Sequence, residues 1–136
     1  MNKKNIGQNI ENDYLIVEQW INDLSFYKNE LSFFRHLIDK YFDQMVTEEN
    51  MEATQEVVRK IVREDREVVL FTEKLKAQLL KMESFINDSK TYDKQDLVDD
   101  LLDFQTEMKM FSETSINLKK EVFTISGHVM EEEKNK

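Results

Sequence analysis

Apolar residues in the first third of the chain recur at alternating steps of four and three residues, a spacing that places side chains on one side of a helix. They are Trp20, Leu24, Tyr27, Leu31, Phe34, Ile38, Tyr41 and Met45. The pattern predicts a helix over residues 9–46, for which Asn9, Asn12 and Asp13 are all suitable N-terminal caps. A helix with one apolar side needs other elements against which to bury it.

A second apolar stripe predicts a helix over residues 50–87. One row of its core repeats every seven residues and consists of Ile61, Val68, Leu75 and Met82. A neighbouring row consists of Val58, Leu79 and Ile86, with Asp65 and Thr72 as polar exceptions. The stripe is widened on its other side by Val57, Phe71 and Phe85.

A chain reversal is expected at residues 87–91, because short polar side chains there hydrogen-bond locally and compete with helix. A third helix is predicted over residues 91–130, where apolar residues resume the steps of four and three. They are Leu97, Leu101, Phe104, Met108, Phe111, Leu118, Val122, Ile125 and Val129, and Ser115 is the one polar member of the series.

Three such stripes, separated by short breaks, indicate the fold class. Short connections make successive helices antiparallel neighbours, so we expect an all-α fold, an elongated antiparallel up-down-up three-helix bundle with coiled-coil-like packing. The alternative is a helix that continues through residues 47–50, where neither glycine nor proline enforces a turn. This pattern of heptads resembles the architecture of spectrin-type repeats.

The length of 136 residues fits a single domain. We expect the bundle to occupy residues 9–130, between a flexible N-terminal arm of residues 1–8 and a disordered charged tail of residues 131–136. The chain contains no proline and two glycines, which argues against a turn-rich β fold.

The formal net charge of −9 argues against a nucleic-acid partner, because phosphate binding relies on Lys and Arg. No segment approaches the roughly 20 apolar residues of a membrane span. No apolar run follows Lys3 and Lys4 to form a signal peptide. The absence of cysteine excludes disulfides and gives no sign of an oxidising compartment. We therefore expect a cytoplasmic protein with neither a membrane nor a nucleic-acid partner.

Residues that carry chemistry in other helical bundles do not form recognisable motifs here. Neither histidine fits a Glu-x-x-His metal motif, because Phe33 precedes His36 and Ile125 precedes His128 by three positions. Acidic residues crowd the start of the third helix, where they suit the positive end of the helix dipole. They are Asp93, Asp96, Asp99, Asp100 and Asp103. The sequence thus predicts no metal site, no cofactor and no enzymatic activity.

Asp65 and Ser115 each interrupt an otherwise apolar row. If the chain reverses near residues 48 and 89, antiparallel helices bring both to about the same level, which predicts a polar layer in the core. A polar residue at a core position commonly fixes the alignment of its neighbours. The alternative is a functional carboxylate with a raised pKa, but no second acid, base or nucleophile accompanies it at a defined spacing.

Five apolar residues fall at heptad positions that point away from the core of a three-helix bundle. They are Phe26 and Phe33 on the first helix, and Leu102, Ile116 and Phe123 on the third. Exposed apolar stripes mark association surfaces. A shifted facing of the helices, in which a wide seam buries one of the two sets, is the structural alternative.

These residues lead to two functional hypotheses. The first is a non-enzymatic interaction or scaffold protein that acts through its exposed apolar stripes, with protein as its partner and a homodimer as the expected assembly. The second is a carboxylate-based helical bundle that binds a metal ion or a small ligand through the polar layer.

Overall fold

The computed structural model describes residues 6–45 and 51–134, and nearly all of them lie in three helices. The helices are α1, Ile10–Met45; α2, Met51–Asn87; and α3, Lys94–Lys134. No strand occurs in the described residues, so the predicted all-α class is confirmed. The predicted turn at residues 47–50 lies outside the described part of the chain, as do residues 1–5 and 135–136.

The start of α1 at Ile10 is stabilised by Asn9, which precedes the helix, and by Asp13 in its first turn. Asn9 caps the helix, because its Oδ1 accepts the backbone N–H of Asn12 at 3.0 Å. The buried carboxylate of Asp13 accepts the N–H of Gly7 with both oxygens, at 3.1 and 3.2 Å. Gly7 has a φ of +96°, which residues with a side chain rarely adopt. Gly7, predicted to be part of a flexible arm, is therefore bonded to the first turn of the helix.

Helix α3 differs from its predicted bounds at both ends. Oδ1 of Asp93 accepts the N–H of Gln95 at 2.8 Å, so this aspartate caps the helix, which begins at Lys94 rather than at residue 91. At its other end the helix continues to Lys134. Residues 131–134 are thus helical, which corrects the predicted disordered tail at these positions. The reason is composition, since Glu and Lys are good helix formers.

The contacts among the helices divide the chain into two compact units, where the sequence predicted one domain. Unit 1 comprises Met1–Ser25 and Val69–Phe111, and unit 2 comprises Phe26–Val68 and Ser112–Lys136. Each unit contains a segment of all three helices and builds its own core from them.

The core of unit 1 contains a cluster of three aromatic rings. The ring of Phe71 lies 5.6 Å from that of Phe104 in an edge-to-face arrangement and 5.4 Å from that of Phe111 in a stacked one. Each such pair adds about 0.5–1.5 kcal/mol to the stability gained from burial. Further buried apolar residues of this unit are Val17, Trp20, Leu24, Leu75, Met82, Leu97 and Leu101.

The core of unit 2 surrounds Phe34, whose side chain is fully buried. Further buried apolar residues of this unit are Tyr27, Leu31, Ile38, Val57, Ile61, Val68, Leu118 and Val122. Glu30 of α1 contacts Lys119 of α3, and Phe34 contacts Phe123, so positions along the two helices increase together. In this unit α1 and α3 therefore run in the same direction, as an up-down-up order requires.

The core stripe predicted for α1 is buried from Trp20 to Ile38. Beyond that point Tyr41 departs from helical dihedral angles, with φ −109° and ψ 16°, and marks a kink. Its side chain is half-buried. The stripe thus predicted the packing of α1 correctly up to the kink.

In α2 the structure buries a different second row from the predicted one. The first row is buried as predicted, at Ile61, Val68, Leu75 and Met82. The second row consists of Val57, Glu64, Phe71, Gln78 and Phe85, all buried except the half-buried Phe85. The predicted row is half-buried or exposed and consists of Val58, Asp65, Thr72, Leu79 and Ile86. The rings of Phe71 and Phe85 explain why this row faces the core, because they remove more apolar area from water than the aliphatic side chains of the other row.

Candidate functional site

An exposed apolar surface lies on α1 and α3 of unit 2. It consists of Phe26, Phe33, Ile116 and Phe123, and is called here the Phe33 surface. Between 47% and 73% of each of these residues is exposed. The two residues on each helix are seven positions apart and therefore lie on one face of it. Leu102, the fifth residue of the predicted set, is also exposed but belongs to unit 1.

A buried ring connects the two halves of the Phe33 surface. The ring of Phe34 lies 6.1 Å from that of Phe33 and 6.0 Å from that of Phe123, measured between centroids. The exposed rings of Phe33 on α1 and Phe123 on α3 thus both contact the same core residue. The surface is continuous with the core of the unit.

An ion pair joins the two helices between the apolar residues of the Phe33 surface. Nζ of Lys119 lies 2.9 Å from Oε2 of Glu30, and the hydroxyl of Ser115 donates to Oε1 of the same carboxylate at 2.9 Å. In sequence, Glu30 falls between the two phenylalanines of α1, and Lys119 falls between Ile116 and Phe123 of α3. The surface therefore carries one charge of each sign near its middle.

The polar layer predicted at Asp65 and Ser115 is absent from the core, and the two residues do not pair. The Asp65 side chain is 48% exposed and lies 3.0 Å from Nζ of Lys28. Ser115 is half-buried and bonds to Glu30 instead. Asp65 is not in the core because α2 turns the row that contains Glu64 inward and leaves the row that contains Asp65 at the edge.

The residue before Asp65 occupies the buried position. Glu64 is 8% exposed, and its Oε1 accepts the hydroxyl of Tyr27 at 2.8 Å. Burial, followed by the hydrogen bond to Glu64 and the charge of Glu30, raises the pKa of the Tyr27 hydroxyl far above its ordinary value. The phenol therefore holds its proton more tightly than a free tyrosine does and donates it in the hydrogen bond to Glu64.

A groove of about 600 Å³ in unit 2 is lined by Asp65 and Lys28 and carries charges of both signs. Its cations are already paired, since Lys28 contacts Asp65 and Nε of Arg35 lies 3.7 Å from Asp39. His36 lines the same groove and is exposed. The mixture of paired charges offers no net charge to select an anion or a cation.

Groups of ligating side chains are absent from the described residues, where no three His, Cys, Asp or Glu come close enough together to hold a metal ion. The side chain of His128 lies outside the described part of the chain. Nothing in the described geometry favours the metal-binding alternative over an interaction surface.

Sequence reasoning missed the contact between Tyr27 and Glu64 and the role of Glu30. The first had a signal, because Glu64 falls seven residues from both Val57 and Phe71, in the row with the larger apolar side chains. The second had none, because the partner of a charged residue beside a core stripe depends on which helix packs next to it.

The helices of the described residues include no segment with the length and apolarity needed to cross a membrane. Comparison of the chain with protein-family models, with curated proteins and with solved structures gives no match. A proposal of function therefore rests on the surface chemistry of the chain itself.

Proposed function

We propose that this protein is a non-enzymatic interaction module that forms a homodimer through the Phe33 surface. The observation that carries the proposal is the exposure of four large apolar side chains on α1 and α3 of one unit, with Phe34 beneath Phe33 and Phe123. Contiguous apolar patches on folded proteins are typical of association sites. A partner that covers this patch removes its aromatic rings from water.

The charges within the Phe33 surface favour a second copy of the chain as the partner. A two-fold axis brings the same patch of both copies together, so the patch has to complement itself. Glu30 and Lys119 supply one negative and one positive group near its middle. Rotation about an axis close to this pair sets each carboxylate near the ammonium of the other copy. Apolar residues on both sides of the pair then cover one another.

The non-enzymatic part of the proposal is supported by the buried polar groups of the same unit. The Tyr27 hydroxyl donates a hydrogen bond to Glu64, and its pKa is raised, so it holds its proton tightly at neutral pH. We also propose a cytoplasmic location, since the chain contains no cysteine and needs no oxidising compartment to fold.

The proposal is tested by the double variant Phe26→Ser with Phe33→Ser. Burial of each phenylalanine contributes about 1.5–3 kcal/mol to association, so loss of two weakens the dimer at least about 100-fold. The expected result is a dimer for the unaltered chain and a monomer for the variant, measured by light scattering at matched concentrations. Helicity measured by circular dichroism is expected to stay the same, because both rings are exposed.

The matched control is Leu80→Ser, which also removes an exposed apolar side chain from a helix but lies in unit 1. It is expected to leave the dimer intact. An unaltered chain that is monomeric at tens of micromolar removes the homodimer. Loss of helicity in the double variant shows that these rings belong to the core, and equal dissociation by the control shows that the Phe33 surface is not specific.

A further inference from the structure

An apolar concavity lies between α1 and α2 in unit 1. It has a volume of about 370 Å³ and is lined by Glu11, Tyr14, Leu15, Glu83, Ile86 and Asn87. It is called here the Leu15 cleft. Its volume lies within the range of sites that take a large side chain or a small ligand.

The walls of the Leu15 cleft are apolar and open to solvent. Leu15 is 61% exposed and Ile86 is 43% exposed. Sequence reasoning placed Ile86 in the core of α2, but the structure places it at the edge, because its whole row lies there. The hydroxyl of Tyr14 donates to Oε2 of Glu83 at 3.3 Å and joins the two helices at the cleft.

Each of the two helices contributes one carboxylate to the lining of the cleft. Glu11 and Glu83 line the cleft, and Glu18 follows Tyr14 by one helical turn. Burial and the charges of Glu83 and Glu18 raise the pKa of the Tyr14 hydroxyl above its ordinary value. Two carboxylates therefore line one apolar opening and a third acts on its Tyr14 hydroxyl, in a chain whose net charge is −9.

We propose that the Leu15 cleft binds a basic amphipathic helix of another protein. An apolar side chain of that helix fills the space between Leu15 and Ile86, while Lys or Arg on its flanks contact Glu11 and Glu83. Helices of this kind present apolar anchors at steps of three and four and lay them in a groove between two other helices. The carboxylates repel nucleic acid and anionic membrane surfaces, so charge complementarity favours a basic protein segment.

The experiment uses a fluorescent synthetic peptide of about five helical turns, with Leu at steps of three and four and Lys elsewhere. Fluorescence anisotropy measures its binding to the full chain that carries Phe26→Ser and Phe33→Ser, so that dimerisation does not contribute. Two further peptides are compared with it. One has the same composition in scrambled order, and the other has Glu in place of Lys. The expected result is binding of the first peptide at least about 10-fold tighter than either.

Variants of the cleft locate the binding. Leu15→Ser with Ile86→Ser is expected to weaken binding at least about 10-fold. Glu83→Gln keeps an acceptor for the Tyr14 hydroxyl and removes the charge, so it is expected to weaken binding and to reduce its dependence on salt. Leu70→Ser is the matched control, because Leu70 is an exposed residue of α2 in unit 1, about 24 Å along the helix from Ile86.

Equal binding of the scrambled peptide, tight binding of the Glu peptide, or equal weakening by Leu70→Ser overturns the proposal. So does binding that the cleft variants leave unchanged. These outcomes are independent of the Phe33 surface, because every measurement is made on the chain from which its two phenylalanines have been removed. A homodimer that fails because the unaltered chain is monomeric thus leaves the test of the Leu15 cleft intact, and a failed cleft leaves the test of the homodimer intact.

Discussion

The hydroxyl of Tyr27 donates to Oε1 of Glu64 over 2.8 Å inside the core of unit 2. A carboxylate in a core is stable only when a donor satisfies it, because an unpaired charge there loses its hydration without compensation. The neighbouring carboxylate of Asp65 is half exposed and meets Lys28. The stability of the protein therefore depends more on the partner of Glu64 than on the partner of the adjacent Asp65.

The first prediction is that Tyr27→Phe destabilises the protein more than Asp65→Ala does. The first change leaves the Glu64 carboxylate in the core without its donor and is expected to cost about 1.5–3 kcal/mol. The second removes a surface ion pair worth about 0.2–1 kcal/mol. Urea unfolding of both variants measures the two losses. Equal losses would show that the hydroxyl of Tyr27 contributes no more than a surface charge.

Tyr27→Phe combined with Glu64→Leu is expected to recover most of that loss. Replacement of both members of a buried polar pair by apolar residues is often neutral or stabilising. The same unfolding experiment measures the recovery. A double variant as unstable as Tyr27→Phe alone would show that the phenolic hydroxyl matters through a contact other than Glu64.

The second prediction concerns alkaline pH. The pKa of the Tyr27 hydroxyl is raised in the folded chain above the ordinary value of 10.0, so the folded state holds this proton more tightly than the unfolded state. The stability that this contributes is complete below about pH 10 and is lost as pH rises further. We expect the free energy of unfolding to fall more between about pH 9 and about pH 11 in the unaltered chain than in Tyr27→Phe.

Lysine residues lose their charge over the same pH range, which affects both chains alike. The difference between the two slopes therefore isolates Tyr27. Identical slopes from urea unfolding at matched pH values would contradict the prediction.

The third prediction tests which row of α2 faces the core of unit 1. Phe71→Ala removes a buried ring that contacts Phe104 and Phe111, and is expected to cost about 3–5 kcal/mol. Thr72→Ala changes a half-buried residue of the edge row and is expected to cost less than about 1 kcal/mol. Thermal or urea unfolding gives both values. A larger loss of stability from Thr72→Ala than from Phe71→Ala would show that the row predicted from the sequence faces the core.

The fourth prediction is that Gln78→Met stabilises the protein. Gln78 is buried, and its Nε2 has no acceptor within hydrogen-bond distance among the described residues. A buried donor without a partner costs about 1–3 kcal/mol, and methionine fills a similar volume without a donor. Urea unfolding is expected to show a gain of about 1 kcal/mol or more. The exposed Gln95, changed in the same way, serves as the control and is expected to give no gain.

The core stripe of α1 was predictable because its apolar residues are large, closely spaced and without polar members from Trp20 to Ile38. One such stripe leaves a helix a single way to bury itself. The exposure of Phe26 and Phe33 follows from the same facing. Their role in association stays a prediction.

The facing of α2 was not predictable from apolar periodicity alone. The row through Glu64 and the row through Asp65 each contain three apolar and two polar residues among five positions. Which row faces the core depends on the side chains that the other helices place opposite it. One of these is Tyr27, whose hydroxyl donates a hydrogen bond to Glu64. The Leu15 cleft was missed for the same reason, since Ile86 belongs to the row that turns outward.

The second core row of α2 also bears on how the chain avoids folding errors. Its residues alternate between apolar and polar at every heptad, as Val57, Glu64, Phe71, Gln78 and Phe85. The row therefore repeats only after fourteen residues. If α2 slid by one heptad along its neighbours, Glu64 would move to the place of Phe71 and lose the Tyr27 hydroxyl that offsets part of its cost of burial. A slide of two heptads restores the alternation but leaves about 21 Å of helix without a partner. Glu64 and Gln78 thus reduce the stability of the finished core while they make the nearest misfolded states less stable still.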